Sequence, residues 1–327
     1  AGLFKTIFGA QVFDVRWPSN VTTVCSKPAG IPAGNVSSST VYKPGNNPVI
    51  LKLSARDRGQ VGATFDYMAE AMASYEASPD VSAFSSKFDH VLAGTATLTA
   101  QEMRGFVLFN GKAVCAQCHE DAVTVPGTAL RVNAGRMIGG IQVGGPHVEI
   151  KFRGAIIVQS DAPLFTNQEA VNLGIPKNLM VPYLYENKPD EFGYVANSLG
   201  SSYTDTGLFD FLTSVNNPNP AWRALAPGFR GTFQTPTIRN ADKRPRLSFV
   251  RAYMHNGYLK SLKEVVHFYN TRDALPRCIQ GSVGEKVTCW PAPEVPQNVT
   301  KQIGNLHLTS QQEDDIVAFL KTLTDVP

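Results

Sequence analysis

The chain has no run of roughly 18 consecutive apolar residues, so nothing in it reads as a membrane-spanning helix. It has no Lys/Arg cluster either. Its 30 basic and 27 acidic residues leave a net charge of +3, too mild to imply a nucleic-acid partner. Internal repeats and low-complexity tracts are absent, so nothing points to a solenoid. The first ten residues carry one charge and no long apolar stretch, so they do not form a signal peptide. The expectation is a mature chain or a piece of a longer one.

Hydrophobic residues make up 43% of the 327 positions, enough for a sizeable core. The periodicity is mainly helical. Val61, Phe65, Met68, Ala69, Met72 and Tyr75 fall on one stripe, which predicts a helix over 57–77 with that stripe in the core. A second short helix is expected over 84–92. Thr99 followed by Glu102 is a capping box, and it opens a helix that breaks at Asn110-Gly111. Ser261 to Asn270 reads as a helix. Ser310 with Glu313 reads as another capping box, ahead of an amphipathic C-terminal helix bearing Ile316, Phe319, Leu320 and Leu323. Residues 120–200 read as loop with short elements, and Val148 to Val158 as strand or buried coil. The fold class is mainly α. The expected domains are an irregular and helical region over 1–96 and a helical domain over 97–327. Trp17, Trp222 and Trp290 read as core or loop anchors.

Five cysteines remain to be placed. Cys278 and Cys289 share a Gly/Pro-bearing loop and are read as a disulfide, which needs an oxidising compartment. Cys25 is left over. Cys115-Ala116-Gln117-Cys118-His119 is the CxxCH signature of covalent c-type haem attachment. Two cysteines three apart on a helical turn face one side and reach both vinyl groups of one porphyrin. The adjacent histidine then projects beneath the iron. A zinc site would need a second ligand pair at short spacing, and none is present. Cys115 and Cys118 are therefore expected to hold one haem c, with His119 as the fifth iron ligand. The sixth position decides the chemistry. Met or His there makes an electron-transfer site, Tyr lowers the potential, and an open position admits substrate. Met137, Met180, Met254, His147, His255, His267 and Tyr269 all stand as candidates. His267 and Tyr269 are about 200° apart around a helix, so only one of them can face an iron.

Four segments, in order, resemble the bacterial di-haem cytochrome c peroxidases and the related methylamine dehydrogenase maturation enzyme. They are Ala69 to Glu76 with Ser86 to Asp89, Gly105 to Lys112 running into the haem motif, Phe233 to Asn240, and Ala252 to Gly257 with Leu262 to Asn270. The match covers roughly residues 60–120 and 230–325, while 1–58 and 121–229 match weakly. The resemblance implies a cytochrome c-like domain whose haem is the family's C-terminal, electron-relaying one. It implies Tyr269 as the distal iron ligand, fourteen residues after His255. It places His255 near a propionate or between haems. Arg239 lies in the third matching segment, and a guanidinium there suits a haem propionate because it binds carboxylates in a bidentate fork. The resemblance further implies a Ca²⁺ site, for which the carbonyls of Val250 and Ala252 would be ligands.

The family carries two haem motifs and this sequence carries one. The expectation is the relay half of a di-haem peroxidase-like oxidoreductase, located in the periplasm or outside the cell. It would work with a redox partner protein and with a second haem-bearing segment or polypeptide. A stand-alone mono-haem carrier and a mono-haem peroxidase with an open iron site are the alternatives.

Overall fold

The computed structural model describes residues 2–19, 21, 53–81, 83–122, 135–144, 147–152, 156–167, 169–181, 199–214, 220–246 and 248–326, with backbone alone for 147–152, 156–161 and 220. Cys25 and the loop expected from Ser26 to Pro48 lie outside these residues. The chain divides into two compact units, Ala1–Ala83 with Leu179–Tyr203, and Phe84–Asn178 with Thr204–Pro327. Among the described residues the architecture is mainly α, with sheet confined to two-stranded pieces.

In the first unit, α1 (Gly2–Phe8) leads into a 3-10 turn, and α2 (Ala55–Glu76) is the long element. Ser54 caps α2 by accepting from the Asp57 amide. The predicted apolar stripe is not core. Phe65, Met68, Met72 and Tyr75 are all exposed. The packed face is turned one residue along the helix. Thr64 donates to the Val12 carbonyl at 2.5 Å, and Tyr67 stacks on Phe8 with ring centroids 4.9 Å apart. A hydroxyl bond and an aromatic stack thus override the hydropathy pattern that sequence periodicity reads.

The second unit is built on three helices that share one core. They are α3 (Lys87–Ala93), α4 (Ala100–Asn110) and, at the chain's end, the helix Ser310–Lys321. Capping boxes start both α3 (Ser86 with Asp89) and α4 (Thr99 with Glu102). The sequence reading ends the first domain at residue 96, whereas this unit begins at Phe84. The reason is that Phe88 and Val91 of α3 bury in the same cluster as Phe106, Phe109, Phe165, Phe319 and Ile316. Fully burying side chains of this size is worth about 1.5–3 kcal/mol each. Their rings pack at tilted or edge-on angles, with Phe88–Phe319 at 5.4 Å and Phe109–Phe319 at 5.2 Å.

Three short pairings follow α4. In β1 (Arg136–Ile138) and β2 (Ile141–Val143), Ile138 faces Ile141 across Gly139-Gly140. Both glycines have positive φ, the conformation a two-residue hairpin turn requires. The stretch left open as strand or coil forms the antiparallel pair β3 (His147–Phe152) and β4 (Ile156–Asp161). Next come β5 (Ala170–Val171), the short helix α5 (Leu208–Thr213) and β6 (Phe233–Gln234), which pairs with β5.

α6 (Leu262–Thr271) is capped by Ser261, and the Ser310–Lys321 helix is α7. The cap of α7 is Thr309 with Gln312, one residue before the expected Ser310 with Glu313. Glu313 is instead buried, holding His267, Asn270 and Lys263 of α6. Cys278 and Cys289 are joined, with Cα atoms 5.7 Å apart. Of the tryptophans, Trp290 is fully buried, while Trp17 and Trp222 are exposed. No helix of the described residues is long and apolar enough to cross a membrane.

Candidate haem centre

α4 stops at Asn110, and the chain reverses over Gly111 to Val114. The Ala113 amide reaches back to Leu108 O, and Val114 takes a left-handed φ of 52°. A single 3-10 turn, Cys115–Gln117, follows. The His119 and Cys118 amides both bond Cys115 O, at 2.9 and 3.2 Å. This turn brings Cys115, Cys118 and His119 together. The two thiols are not joined to each other. Burial pushes both up to about 12, so each is a neutral thiol at neutral pH.

Burial holds His119 down to about 4, so its imidazole is neutral. Its Nδ1 lies 3.2 Å from the Phe165 carbonyl oxygen. A carbonyl only accepts, so Nδ1 carries the proton and the ring's lone pair lies on Nε2. Metal-binding histidines have this arrangement, in which the second nitrogen donates to a carbonyl and fixes the tautomer.

Tyr269 projects from α6 toward this motif. Burial raises its phenol, with Cys115 and Cys118 as the next contributors, so it sits close enough to feel both sulfurs. Tyr269 packs with Met254 against a second cluster of Ile175, Tyr258, Leu259, Phe268 and Trp290. Cys115 packs against the main core, and Tyr253 touches both clusters. Cys115 and Tyr269 therefore flank two apolar clusters that Tyr253 joins, an apolar setting for a large apolar ring.

The other sequence candidates separate cleanly. His267 has both nitrogens engaged, Nδ1 with Glu313 at 2.9 Å and Nε2 with Val287 O at 3.1 Å, so it is not an iron ligand. Met137 and Met180 are solvent-exposed. The side chain of His147 lies outside the described residues. His255 is exposed at one edge and stacks face to face on Phe233, centroids 3.6 Å apart. Its loop is closed by Asn256, which donates to Pro176 O and accepts from the Tyr258 amide. Arg239 is buried. Its terminal nitrogens engage Asp89, Asp325 and Pro163 O, its plane lies over Phe84, and its Nε has no partner. Val250 and Ala252 lie on an exposed stretch. Among the described residues no three His, Cys, Asp or Glu side chains gather as a metal site.

Sequence reasoning missed the segment Phe165-Thr166-Asn167, which lies directly on the motif. Its contribution is mostly backbone, and no spacing pattern announces it. A cavity of about 320 Å³ is lined by Phe165, Phe88, Asp89, Arg136 and Arg239, and none of Cys115, Cys118, His119 or Tyr269 borders it. The chemistry lies with the donor set and not with this cavity. Two neighbouring free thiols, a neutral histidine with Nε2 available and a facing phenol fit a covalently bound haem c.

No family model matches the chain. It is 28% identical over 264 residues to the methylamine utilization protein MauG of Paracoccus denitrificans, covering 80% of this chain and 52% of that protein. It is 25% identical over 267 residues to the cytochrome-c peroxidase IdrP1 of Denitromonas iodatirespirans, covering 80% and 52%. The chain thus spans about half the length of the curated relatives it matches. Among solved structures, a variant of the diheme peroxidase BthA from Burkholderia thailandensis superposes with a TM-score of 0.50 at 23% identity. That match covers 83% of this chain and 53% of that one, and it shows likeness of fold.

Proposed function

We propose that this chain, which the comparisons relate to the di-haem cytochrome c peroxidase and MauG-like family, is the electron-relay haem segment of a peroxidase-like oxidoreductase. One observation carries the reading: the CxxCH turn presents two free thiols beside a neutral His119 whose Nδ1 is already committed to a carbonyl. Cys115 and Cys118 would hold haem c through their sulfurs, His119 would bind iron through Nε2, and Tyr269 would take the far side. When bound, haem supplies one-electron redox chemistry. The chain's own residues do the rest. The Phe165 carbonyl orients the imidazole. The two apolar clusters around Cys115 and Tyr269 exclude water. The exposed His255 edge and the buried Arg239 Nε are the groups available to propionates. The carbonyls of Val250 and Ala252 offer the oxygen ligands that Ca²⁺ takes.

The Cys278–Cys289 disulfide supports an oxidising location, periplasmic or extracellular. A relay haem needs a redox partner protein at one end and a catalytic centre at the other, and the second haem of the family would be that centre. The test is the ratio of haem c to polypeptide, by pyridine haemochrome against quantified chain. A ratio near two supports the peroxidase-like reading, with a second haem segment travelling with this one. A ratio near one supports a stand-alone carrier or a single-haem catalyst. Absence of covalent haem overturns the reading.

A further inference from the structure

We propose that Thr166 and Asn167 are positioning residues for His119, and that the buried bridge from Thr166 to Thr235 sets the reduction potential of the iron His119 would bind. The inference rests on the haem reading above. The Phe165 carbonyl accepts from His119 Nδ1 at 3.2 Å, and the Pro236 carbonyl bears on the same imidazole. They come from segments far apart in the chain, so something must hold them together. The Thr166 hydroxyl does so directly, donating to Thr235 O at 2.6 Å, with both residues buried. The Thr235 amide returns a bond to Glu169 O at 2.7 Å, and β5 and β6 pair immediately beyond. The Thr166–Thr235 bridge is the last rung of this short ladder on the His119 side.

Asn167 fixes the same segment to the attachment turn. Its amide donates to Cys118 O at 3.0 Å, and its Nδ2 donates to Gln117 O at 3.1 Å. Its Oδ1 accepts from the Glu169 amide, which keeps the side chain in place. On the other flank, Phe165 holds a left-handed φ of 56°, a conformation a bulky side chain rarely adopts. Its ring is anchored in the aromatic core, edge-on to Phe88 at 5.6 Å and to Phe109 at 6.4 Å. Three independent anchors therefore aim one carbonyl at Nδ1.

A carbonyl that takes the Nδ1 proton strongly makes the imidazole a better donor at Nε2. A more electron-rich ligand favours the ferric state, and hydrogen bonding around the ligand is one of the protein's levers on haem potential. Loosening the clamp must therefore raise the potential.

The experiment uses the full haem-loaded chain and the variants Thr166→Val, Thr166→Ser and Asn167→Ala. Potential is read by spectroelectrochemical titration, and exchange of the His119 Nδ1 proton by NMR of the reduced protein. Thr166→Val and Asn167→Ala are expected to raise the potential and to speed that exchange about tenfold or more. Thr166→Ser, which keeps the hydroxyl, is expected to retain both parental values. A Thr166→Val protein with a lower melting temperature but parental potential and exchange overturns the proposal. Where that variant fails to fold, Asn167→Ala decides on the same two readouts. A parental chain lacking covalent haem overturns the haem reading instead, which separates the two failures.

Discussion

Gly105 of α4 lies against Asp315 of α7 so closely that a Cβ on Gly105 would stand 1.9 Å from the Asp315 carbonyl oxygen. The two helices cross at this point, and the crossing carries the core on which the attachment turn is built. The Asp315 carbonyl carbon follows at 2.5 Å and the Cβ of Phe319 at 2.9 Å. Both obstacles belong to the same helix, one of them backbone and the other the root of a buried aromatic, so neither can move aside cheaply.

Gly105→Ala is therefore expected to destabilise the second unit by about 3 kcal/mol or more, because overpacking a rigid contact forces backbone shifts. Thermal melting of the haem-loaded protein checks it. A variant melting within a degree or two of the parent would show that the helices can part without cost.

The same crossing makes a pH prediction. Asp315 is buried, and Arg104 holds its carboxyl below the ordinary carboxylate range through Nε at 2.8 Å and Nη2 at 3.1 Å. A carboxyl whose pKa is lower folded than unfolded stabilises above its unfolded value, near 3.9, and loses that contribution as pH falls through the folded value. Arg104 is more than half exposed, so solvent screens the pair and keeps its contribution small. Arg104→Ala should cost a small but measurable amount of stability at neutral pH, and the difference should shrink as pH drops below about 4. Urea melts at several pH values give the answer, and a cost independent of pH would assign the effect to packing of the Arg104 stem.

Much of this was legible in the sequence wherever a side-chain pattern does the structural work. Thr99 and Glu102 form the expected box, the CxxCH spacing forms the expected turn, and Cys278 pairs with Cys289. Legibility failed in two physical situations. On α2 the pattern marks Phe65, Met68 and Met72 as core, but a hydroxyl bond from Thr64 and a ring stack at Tyr67 choose the neighbouring face. At the haem centre, the group that orients His119 is the backbone carbonyl of Phe165, and any residue carries a carbonyl. Neither the sharing of one rung by Thr166 and Thr235 nor the use of Glu313 for a buried cluster, with the cap left to Gln312, has a local signature.

The disulfide closes a loop with a sequence separation of 11, and the chain-entropy model values such a cross-link at about 3 kcal/mol. Trp290, which follows Cys289, is fully buried, bonds Thr271 Oγ1 at 2.9 Å and meets Phe268 edge-on at 4.9 Å. The Cys278→Ser/Cys289→Ser pair should lower stability by about 2–3 kcal/mol and shift Trp290 fluorescence, because the strap that seats the indole is gone. Haem content should be unaltered. A reductant-treated parent should behave like the double variant, and a parent whose melting ignores reductant would show that the bridge adds nothing.

His267 and Tyr269 lie on different faces of α6, and the proposed haem centre takes the Tyr269 face. Both partners of His267, the Glu313 carboxylate and the Val287 carbonyl, accept hydrogen bonds, an arrangement that favours the doubly protonated, cationic imidazole. Glu313 accordingly raises its pKa. A cation with no lone pair has nothing to offer a metal. Its removal should cost stability alone, about 1.5–3 kcal/mol for a charge-assisted bond. Tyr269, about 200° around the helix, feels both attachment sulfurs, which add to the rise of its phenol. His267→Ala should therefore leave the absorption and paramagnetic resonance spectra of the haem unchanged while lowering the melting temperature. Tyr269→Phe should do the reverse, altering the ferric spectra and raising the potential, since a phenolate oxygen stabilises ferric iron. The pair of variants discriminates sharply because they sit on one helix turn and share its fold. Unchanged spectra in Tyr269→Phe would remove Tyr269 from the iron and send the search to Met254, which packs against the same cluster.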